Sequence, residues 1–384
     1  MPTPLDRRLQ FKLTEQARAG LTRTLPEISE RDGVRYRLHG RPVTGFCSND
    51  YLGLADDPHL AVSTTTTGAT ASRLVCGDLP EHRSLETRLA RLAGAEDAVL
   101  FPSGFQLNVG VLPALIQPGD QVFSDALNHA SLIDGLRLAR AELRVLEHGT
   151  APNPAGLSAN SASPDPLRWW VTEALFSMDG DYADPAAMQQ HLAHDGCLYL
   201  DEAHSFGLFT RDGHATGLAG MHGFLPTALV GTLGKTFGCA GAFVAASSVA
   251  CRWIRGAARS FVFSTGVSPV IAAQLHRAID LVDGLEGERR RTRLWANVDQ
   301  LARRLGVPKH RSPIFRVLLG SNEAALALSA QLVERGWHAQ AIRPPTVPRG
   351  TSRLRLTVTA THEPAQIDAF ADDLHALLPD HRIT

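Results

Sequence analysis

The sequence predicts an α/β protein: a large domain with a mostly parallel sheet, followed by a smaller α+β C-terminal domain. Three observations carry this. Between residues 95 and 265, short apolar runs recur at AVLFPS (98–103), DQVFSD (120–125), ELRVLEH (142–148), RWWVTEA (168–174), CLYLDEA (197–203), ALVGTLG (228–234) and GAFVAAS (241–247), and each reads as a strand. Helical periodicity separates several of them, at 130–141 and 184–193. Near-continuous apolar strands alternating with helices describe a sheet covered on both faces. Beyond about residue 285 the texture changes to a basic helix at 287–304, a short strand IFRVLLG, and SRLRLTVT at 352–359.

That last strand alternates strictly. Arg353, Arg355 and Thr357 face one way, and Leu354, Leu356 and Val358 the other, as in a half-exposed sheet. Ile367, Phe370, Leu374 and Leu377 then recur at helical spacing. The Pro-, Ala- and Ser-rich stretch 148–167 reads as a surface loop, because a strand signal stands on each side.

Composition narrows the function. The 384 residues carry 38 Lys plus Arg against 39 Asp plus Glu, a net charge of -1. Neither nucleic acid nor an acidic membrane surface is expected as a partner. The five cysteines are odd in number and none is spaced C-x-x-C, which argues against a disulfide framework and a zinc ribbon, so no metal site is expected. A reducing cytoplasm fits this usage. The N-terminal MPTPLDRRLQFKLTEQ lacks the apolar run of a signal peptide, and no stretch reads as a membrane span.

Among those 38 basic residues stand just three lysines, Lys12, Lys235 and Lys309. Arginine serves where charge suffices, but it cannot give up its proton to form an imine. Lys235 lies in a glycine-flanked apolar segment, GTLGKTFG, and Asp201 ends the strand CLYLD. A GKT with a DEAH elsewhere suggests a phosphate-loop ATPase. However, the position where that loop needs its first glycine is Leu229, and the acidic strand end precedes the GKT. Pyridoxal-5'-phosphate (PLP) chemistry explains the residues better. It needs a lysine to hold the cofactor and move protons, a carboxylate against the pyridine nitrogen, and amides and hydroxyls around the phosphate.

Nine stretches then mark a resemblance: FCSNDYLGL (46–54), SRLVCGDLPEHRSLE (72–86), FPSGFQLN (101–108), NHASLIDG (128–135), TEALFSMDGDYADP (172–185), DEAHSFG (201–207), GTLGKTFGCAGAF (231–243), FVFSTGVSP (261–269) and AIRPPTVPRGTSRLRLTVTATHE (341–363). Covering nearly the whole chain in order, they resemble the α-oxoamine synthases among the fold-type-I PLP enzymes. The resemblance implies a PLP-dependent transferase. It has an N-terminal segment (1–45) packing with the small domain, a large PLP-binding domain (46–284) and a small C-terminal domain (285–384). Lys235 resembles the imine-forming lysine and Asp201 the partner of the pyridine nitrogen. His204, helped by Ser177, resembles the group bonded to the ring hydroxyl, and His129 the histidine stacked on the ring. The amides of Gly104 and Phe105 with the Thr232 hydroxyl would hold the phosphate. Thr265 would reach the phosphate of a neighbouring subunit, implying a homodimer with shared sites.

Asn49 and either Arg355 or its same-face neighbour Arg353 would meet the amino-acid carboxylate, with Arg355 preferred, and Arg23 would face the acyl group. The match around Arg343 favours the branch that condenses L-alanine with a pimeloyl thioester, on coenzyme A or a carrier protein, in biotin biosynthesis. Sister branches take glycine, serine or other acyl thioesters. Two stretches depart from the family pattern. HLAVSTTTTGATA (59–71) replaces a longer helix near the acyl entrance, and a threonine run favours loop over helix. The stretch 148–167 also replaces a helix.

Overall fold

The computed structural model describes residues 2–63, 66–153 and 166–378. Thr64 and Thr65 of the threonine run, and most of the 148–167 stretch, lie outside them. The chain forms two compact units. One contains Leu52–Ser177 and Asp181–Thr292; the other contains the described residues up to Tyr51, Met178–Gly180, and those from Arg293 onward.

All seven apolar runs of the larger unit are strands of one sheet: β1 (Asp97–Phe101), β2 (Gln121–Asp125), β3 (Glu142–Leu146), β4 (Arg168–Glu173), β5 (Cys197–Asp201), β6 (Ala228–Thr232) and β7 (Ala242–Ala246). Their order across the sheet is β1-β7-β6-β5-β4-β2-β3. Each pairing is parallel except those of β7, which runs against both β1 and β6. β1 to β6 therefore share one direction and end at the same edge. The interior strands are buried almost throughout, as a sheet covered on both faces requires. Edge strand β3 is partly exposed and carries the Glu142–Arg144 pair, the charge that keeps an open edge from pairing with another chain.

The helices follow from local chemistry. Gly104–Leu115 starts at Ser103, whose hydroxyl accepts the Gln106 N–H at 3.3 Å. Ala130–Ala139 packs against it so closely that a Cβ on Gly135 would lie 2.6 Å from the Asn108 carbonyl oxygen. Pro185–Ala193 is capped by the Asp184 side chain. Between 58 and 72 the described residues form a short 3₁₀ turn (Pro58–Leu60) and no α-helix.

The smaller unit holds a three-stranded antiparallel sheet, Ile314–Gly320, Ser352–Thr357 and Gln340–Ile342, with Ser352–Thr357 in the middle. A second sheet joins Ile28–Asp32, Arg35–Leu38, Arg41–Gly45 and Trp337–His338. Phe46 stacks on Phe370 of helix Pro364–Leu377 with ring centroids 3.9 Å apart. His362 is buried beside Phe46, its Nε2 3.1 Å from the Gly45 carbonyl and its Nδ1 accepting the Thr359 N–H at 3.0 Å. Burial pushes this imidazole down to about 4, so it stays neutral. Ser352–Thr357 departs from the half-exposed expectation: every residue in it is buried, including Arg353 and Arg355. Its polar face is covered by protein partners rather than by water. Among the described residues, no helix is long and apolar enough to cross a membrane.

In the larger unit an ion cluster ties the loop after β3 to strand ends. His148 Nδ1 lies 3.0 Å from Asp125 Oδ1, and Nε2 lies 2.9 Å from Asp181 Oδ2. Two carboxylate partners require both nitrogens to be protonated. The bonds to Asp125 and Asp181 push His148 up to about 10. A folded pKa above the ordinary 6.5 contributes stability fully below that value and loses it as pH rises through about 10. His148→Gln is therefore expected to lower the unfolding free energy by about 1–2 kcal/mol at pH 6, after allowance for solvent screening, and by little at pH 10.5. Denaturant melts at the two pH values check this.

Candidate active site

Five of the six co-directional strands, β1, β2, β4, β5 and β6, end in, or lead within a few residues to, the residues that sequence reasoning singled out. Gly104 and Phe105 follow β1, His129 follows β2, and Ser177 follows β4. Asp201 closes β5, with His204 just beyond, and Thr232 closes β6, with Lys235 three residues on. Parallel sheets present ligand sites at this edge.

Asp201 is 5% exposed. Its Oδ1 accepts the Ala203 N–H at 2.9 Å, and its Oδ2 accepts the Asn108 side-chain amide at 2.9 Å. The same Asn108 Nδ2 donates to Ser131 Oγ at 2.9 Å, and Asn108 Oδ1 accepts the Tyr199 hydroxyl at 2.7 Å. Ser131 in turn faces His129: its N–H donates to Nδ1 at 3.2 Å, and its hydroxyl lies 2.8 Å from the same nitrogen. A ring nitrogen that accepts a backbone N–H carries no proton of its own. His129 is thus neutral with its proton on Nε2. This agrees with the direction in which burial, then Lys235, push its pKa down against the pull of Asp201.

Lys235 Nζ donates to Thr232 Oγ1 at 3.2 Å, and Thr232 Oγ1 donates to the Ala203 carbonyl at 3.1 Å. Thr232 also stands against the N-terminus of helix Gly104–Leu115, where a Cβ on Gly104 would lie 2.7 Å from Thr232 Cγ2. Glycine is required there by close approach. The Gly104 and Phe105 amides open this helix, where backbone N–H groups lack intrahelical partners and favour an anion. Phe105 lies edge-on to His129, with ring centroids 6.4 Å apart. His204 is buried in the turn after β5, and the Ser177 N–H donates to Glu173 Oε2 at 3.3 Å.

Thr265 forms an isolated antiparallel bridge to Ser72, whose hydroxyl donates to the Val262 carbonyl at 2.7 Å. In the smaller unit the Tyr51 hydroxyl donates to Asn49 Oδ1 at 3.5 Å. Burial pushes that hydroxyl up to about 12, against the pull and hydrogen bond of Arg355. Asn49, Tyr51 and Arg355 thus form one connected set. Arg353 is committed elsewhere: its guanidinium donates to Asp179 Oδ1 at 2.7 Å, and Asp179 also pairs with Arg316. Arg23 donates to the Thr346 hydroxyl at 2.9 Å.

Sequence reasoning missed Asn108, Ser131, Tyr199, Tyr51 and Glu173. The signal for Glu173 was available, since it ends the apolar run RWWVTE as Asp201 ends CLYLD. Asn108 and Ser131 lay inside the stretches FPSGFQLN and NHASLIDG, but their joint role needs the packing of two helices.

This donor set fits PLP. Lysine, neutral histidine, buried carboxylate and anion-binding helix N-terminus gather at one sheet edge, and the missing Cβ of Gly104 keeps the helix end open beside Thr232. Gly104→Ala is expected to displace the Thr232 hydroxyl and weaken PLP affinity by about tenfold or more with the fold intact. A fluorescence titration beside a circular dichroism spectrum measures it.

Comparison with known proteins agrees with this geometry. The family model for aminotransferase class I and II matches residues 41–374. An 8-amino-7-oxononanoate synthase of Anaeromyxobacter dehalogenans (strain 2CP-1 / ATCC BAA-258) is 44% identical over 379 residues, 94% of this chain and 93% of that protein. One from Herminiimonas arsenicoxydans is 39% identical over 386 residues, 96% and 98% of the two chains. Among solved structures, serine palmitoyltransferase from S. paucimobilis with bound PLP and myriocin superposes with a TM-score of 0.87 at 25% identity over 98% of each chain. The 8-amino-7-oxononanoate synthase from Francisella tularensis, at 23% identity and TM-score 0.70 over 88% of this chain and 98% of that one, shares the fold. The chain belongs to the aminotransferase class I and II family, as a fold-type-I, PLP-dependent enzyme related to the 8-amino-7-oxononanoate synthases.

Proposed function

We propose that this chain condenses L-alanine with a pimeloyl thioester, releasing carbon dioxide and the thiol and giving 8-amino-7-oxononanoate for biotin biosynthesis in the cytoplasm. The observation that carries the reading is the gathering of Lys235, Asp201 and His129 at one sheet edge, in a chain 44% identical to a synthase of that name. Bound PLP supplies an electron sink for the α-carbon of the amino acid.

The rest falls to the protein. Lys235 holds the cofactor, then takes the α-proton and returns one; Thr232, 3.2 Å from Nζ, keeps the amine in place between these tasks. Asp201, braced by Asn108 and the Ala203 N–H, offers its charge to the pyridine nitrogen. Neutral His129 would lie against the cofactor ring, and His204 with Ser177 would take its hydroxyl. Gly104, Phe105 and Thr232 hold the phosphate, and Thr265 serves the phosphate of the second copy in a homodimer.

For the amino-acid carboxylate the balance falls on Arg355 with Asn49. Arg353 already pairs with Asp179, whereas Arg355 lies beside the Tyr51 hydroxyl and the Cys47 thiol, and Asn49 is bonded to that same Tyr51. A fork of guanidinium donors matches a carboxylate bidentately. Arg23 and its partner Thr346 serve the acyl chain, carried on coenzyme A or a carrier protein.

The test adds alanine, glycine and serine separately to the purified protein, followed by pimeloyl-CoA. A shift of the visible cofactor band with alanine, and 8-amino-7-oxononanoate by mass spectrometry, is the expected result. A response to glycine or serine alone would move the function to a sister condensation. Lys235→Ala is expected to abolish turnover. Arg355→Lys, which keeps charge but loses the fork, is expected to raise KM for alanine about tenfold. Steady-state kinetics with alanine varied at saturating thioester measure both.

A further inference from the structure

Glu173 is the last residue of β4, and its ladder partner on β5 is Asp201. Partners on adjacent parallel strands project from the same face, so two carboxyl groups stand side by side at the sheet edge. Glu173 is 3% exposed. Its Oε2 accepts the Ser177 N–H at 3.3 Å, and the His129 backbone amide also faces the carboxyl. The main chain is stitched at the same point: the Glu173 N–H donates to Asn128 Oδ1 at 3.2 Å, and Asn128 Nδ2 donates to the Val171 carbonyl at 2.7 Å. Oε1 is buried and has no hydrogen-bond partner among the described residues.

We propose that Glu173 is a positioning residue of the cofactor site, a buried carboxyl group that anchors the backbone of His129 and Ser177 while keeping a proton beside Asp201. The proposal rests on the reading that these residues hold PLP. A carboxylate lacking donors at one oxygen costs more to bury than the neutral acid, because the charge is desolvated as well as the oxygen. The titratable groups facing it are Asp201, which opposes a second negative charge, Lys235, which favours one, and neutral His129. Burial and Asp201 prevail and push Glu173 up to about 8. At neutral pH Glu173 then holds its proton and sets no second full charge beside Asp201. The acid at Glu173 still accepts the neighbouring amides that fix the stacking histidine and the serine at the ring hydroxyl.

The full chain is compared with Glu173→Gln and Glu173→Ala, as purified and after removal of the cofactor. A carboxyl group with a raised folded pKa binds more protons folded than unfolded between its ordinary value of 4.5 and about 8, so its contribution to stability falls as pH rises through that window. Glutamine cannot titrate. The melting temperature of Glu173→Gln should therefore gain on that of the parent progressively from pH 5 to pH 8.5. PLP affinity should stay within about threefold of the parent for Glu173→Gln and fall by about tenfold or more for Glu173→Ala. A difference in melting temperature that stays flat across the pH range overturns the proposal, as does equal loss of PLP affinity in both variants. Should the alanine variant not fold, the glutamine series decides alone. If the parent takes up no PLP, the functional reading fails, while the pH-dependent gap still reports on the Glu173 proton.

Discussion

The shared direction of β1, β2, β4, β5 and β6 is the constraint on which the site depends. A strand displays whatever follows it at its carboxyl end, so these five, among six strands pointing one way, deliver five separate segments to one edge. Sequence distance then ceases to matter. Gly104 and Lys235 are 131 positions apart, yet a Cβ added to the first would collide with Thr232, which the second touches. β7 pays no part of this cost: reversed between β1 and β6, it completes the sheet with small and apolar side chains and brings no functional group to the edge.

Delivering polar groups to a dry edge creates a second requirement, because each must find a partner. A lost hydrogen bond there costs about 1–3 kcal/mol, against a net gain of about 1 kcal/mol for one that is made. Asn108 answers this for three side chains at once, two on β5 and one on helix Ala130–Ala139. An amide has donors and an acceptor on a single planar group, so it gives to Asp201 and Ser131 while accepting from Tyr199. Aspartate would repel Asp201, and leucine would leave the Tyr199 hydroxyl without its acceptor. The link from Asn108 to Ser131 also fixes the protonation of His129, since a serine that accepts from the amide turns its own proton toward Nδ1.

How much of this could be read from the sequence follows from the range of each signal. The seven strands were legible because apolar runs of five or six residues between turns are a local pattern, and each run contains its observed strand, give or take a residue at its start. Lys235 and Asp201 were legible through rarity and position: one lysine among glycines, one acid closing an apolar strand. Glu173 carried the same signature as Asp201 and was passed over, because a carboxyl group's role is set by its neighbour across the ladder and not by its own strand. The polar face of Ser352–Thr357 was legible as alternation but not as burial. Period 2 separates two faces without saying what covers either one.

Arg353 and Arg355 show this limit most sharply, and they show what resolves it. Two residues apart on one strand, they are equivalent to any argument from periodicity. The segment Met178–Gly180 breaks the tie: Gly180 takes a positive φ of 76° where a Cβ would meet the Ile314 carbonyl oxygen at 2.1 Å, so the turn presses directly on the sheet. That seats Asp179 over Arg353 and Arg316, neutralising the pair's excess charge by one. Three arginines share this face, with Arg316 and Arg355 directly opposed in the ladder and Asp179 paired with Arg316 and Arg353. Arg355 meets the Tyr51 hydroxyl instead, with Asn49 bonded to the same oxygen, so two residues alike in periodicity differ in what covers them.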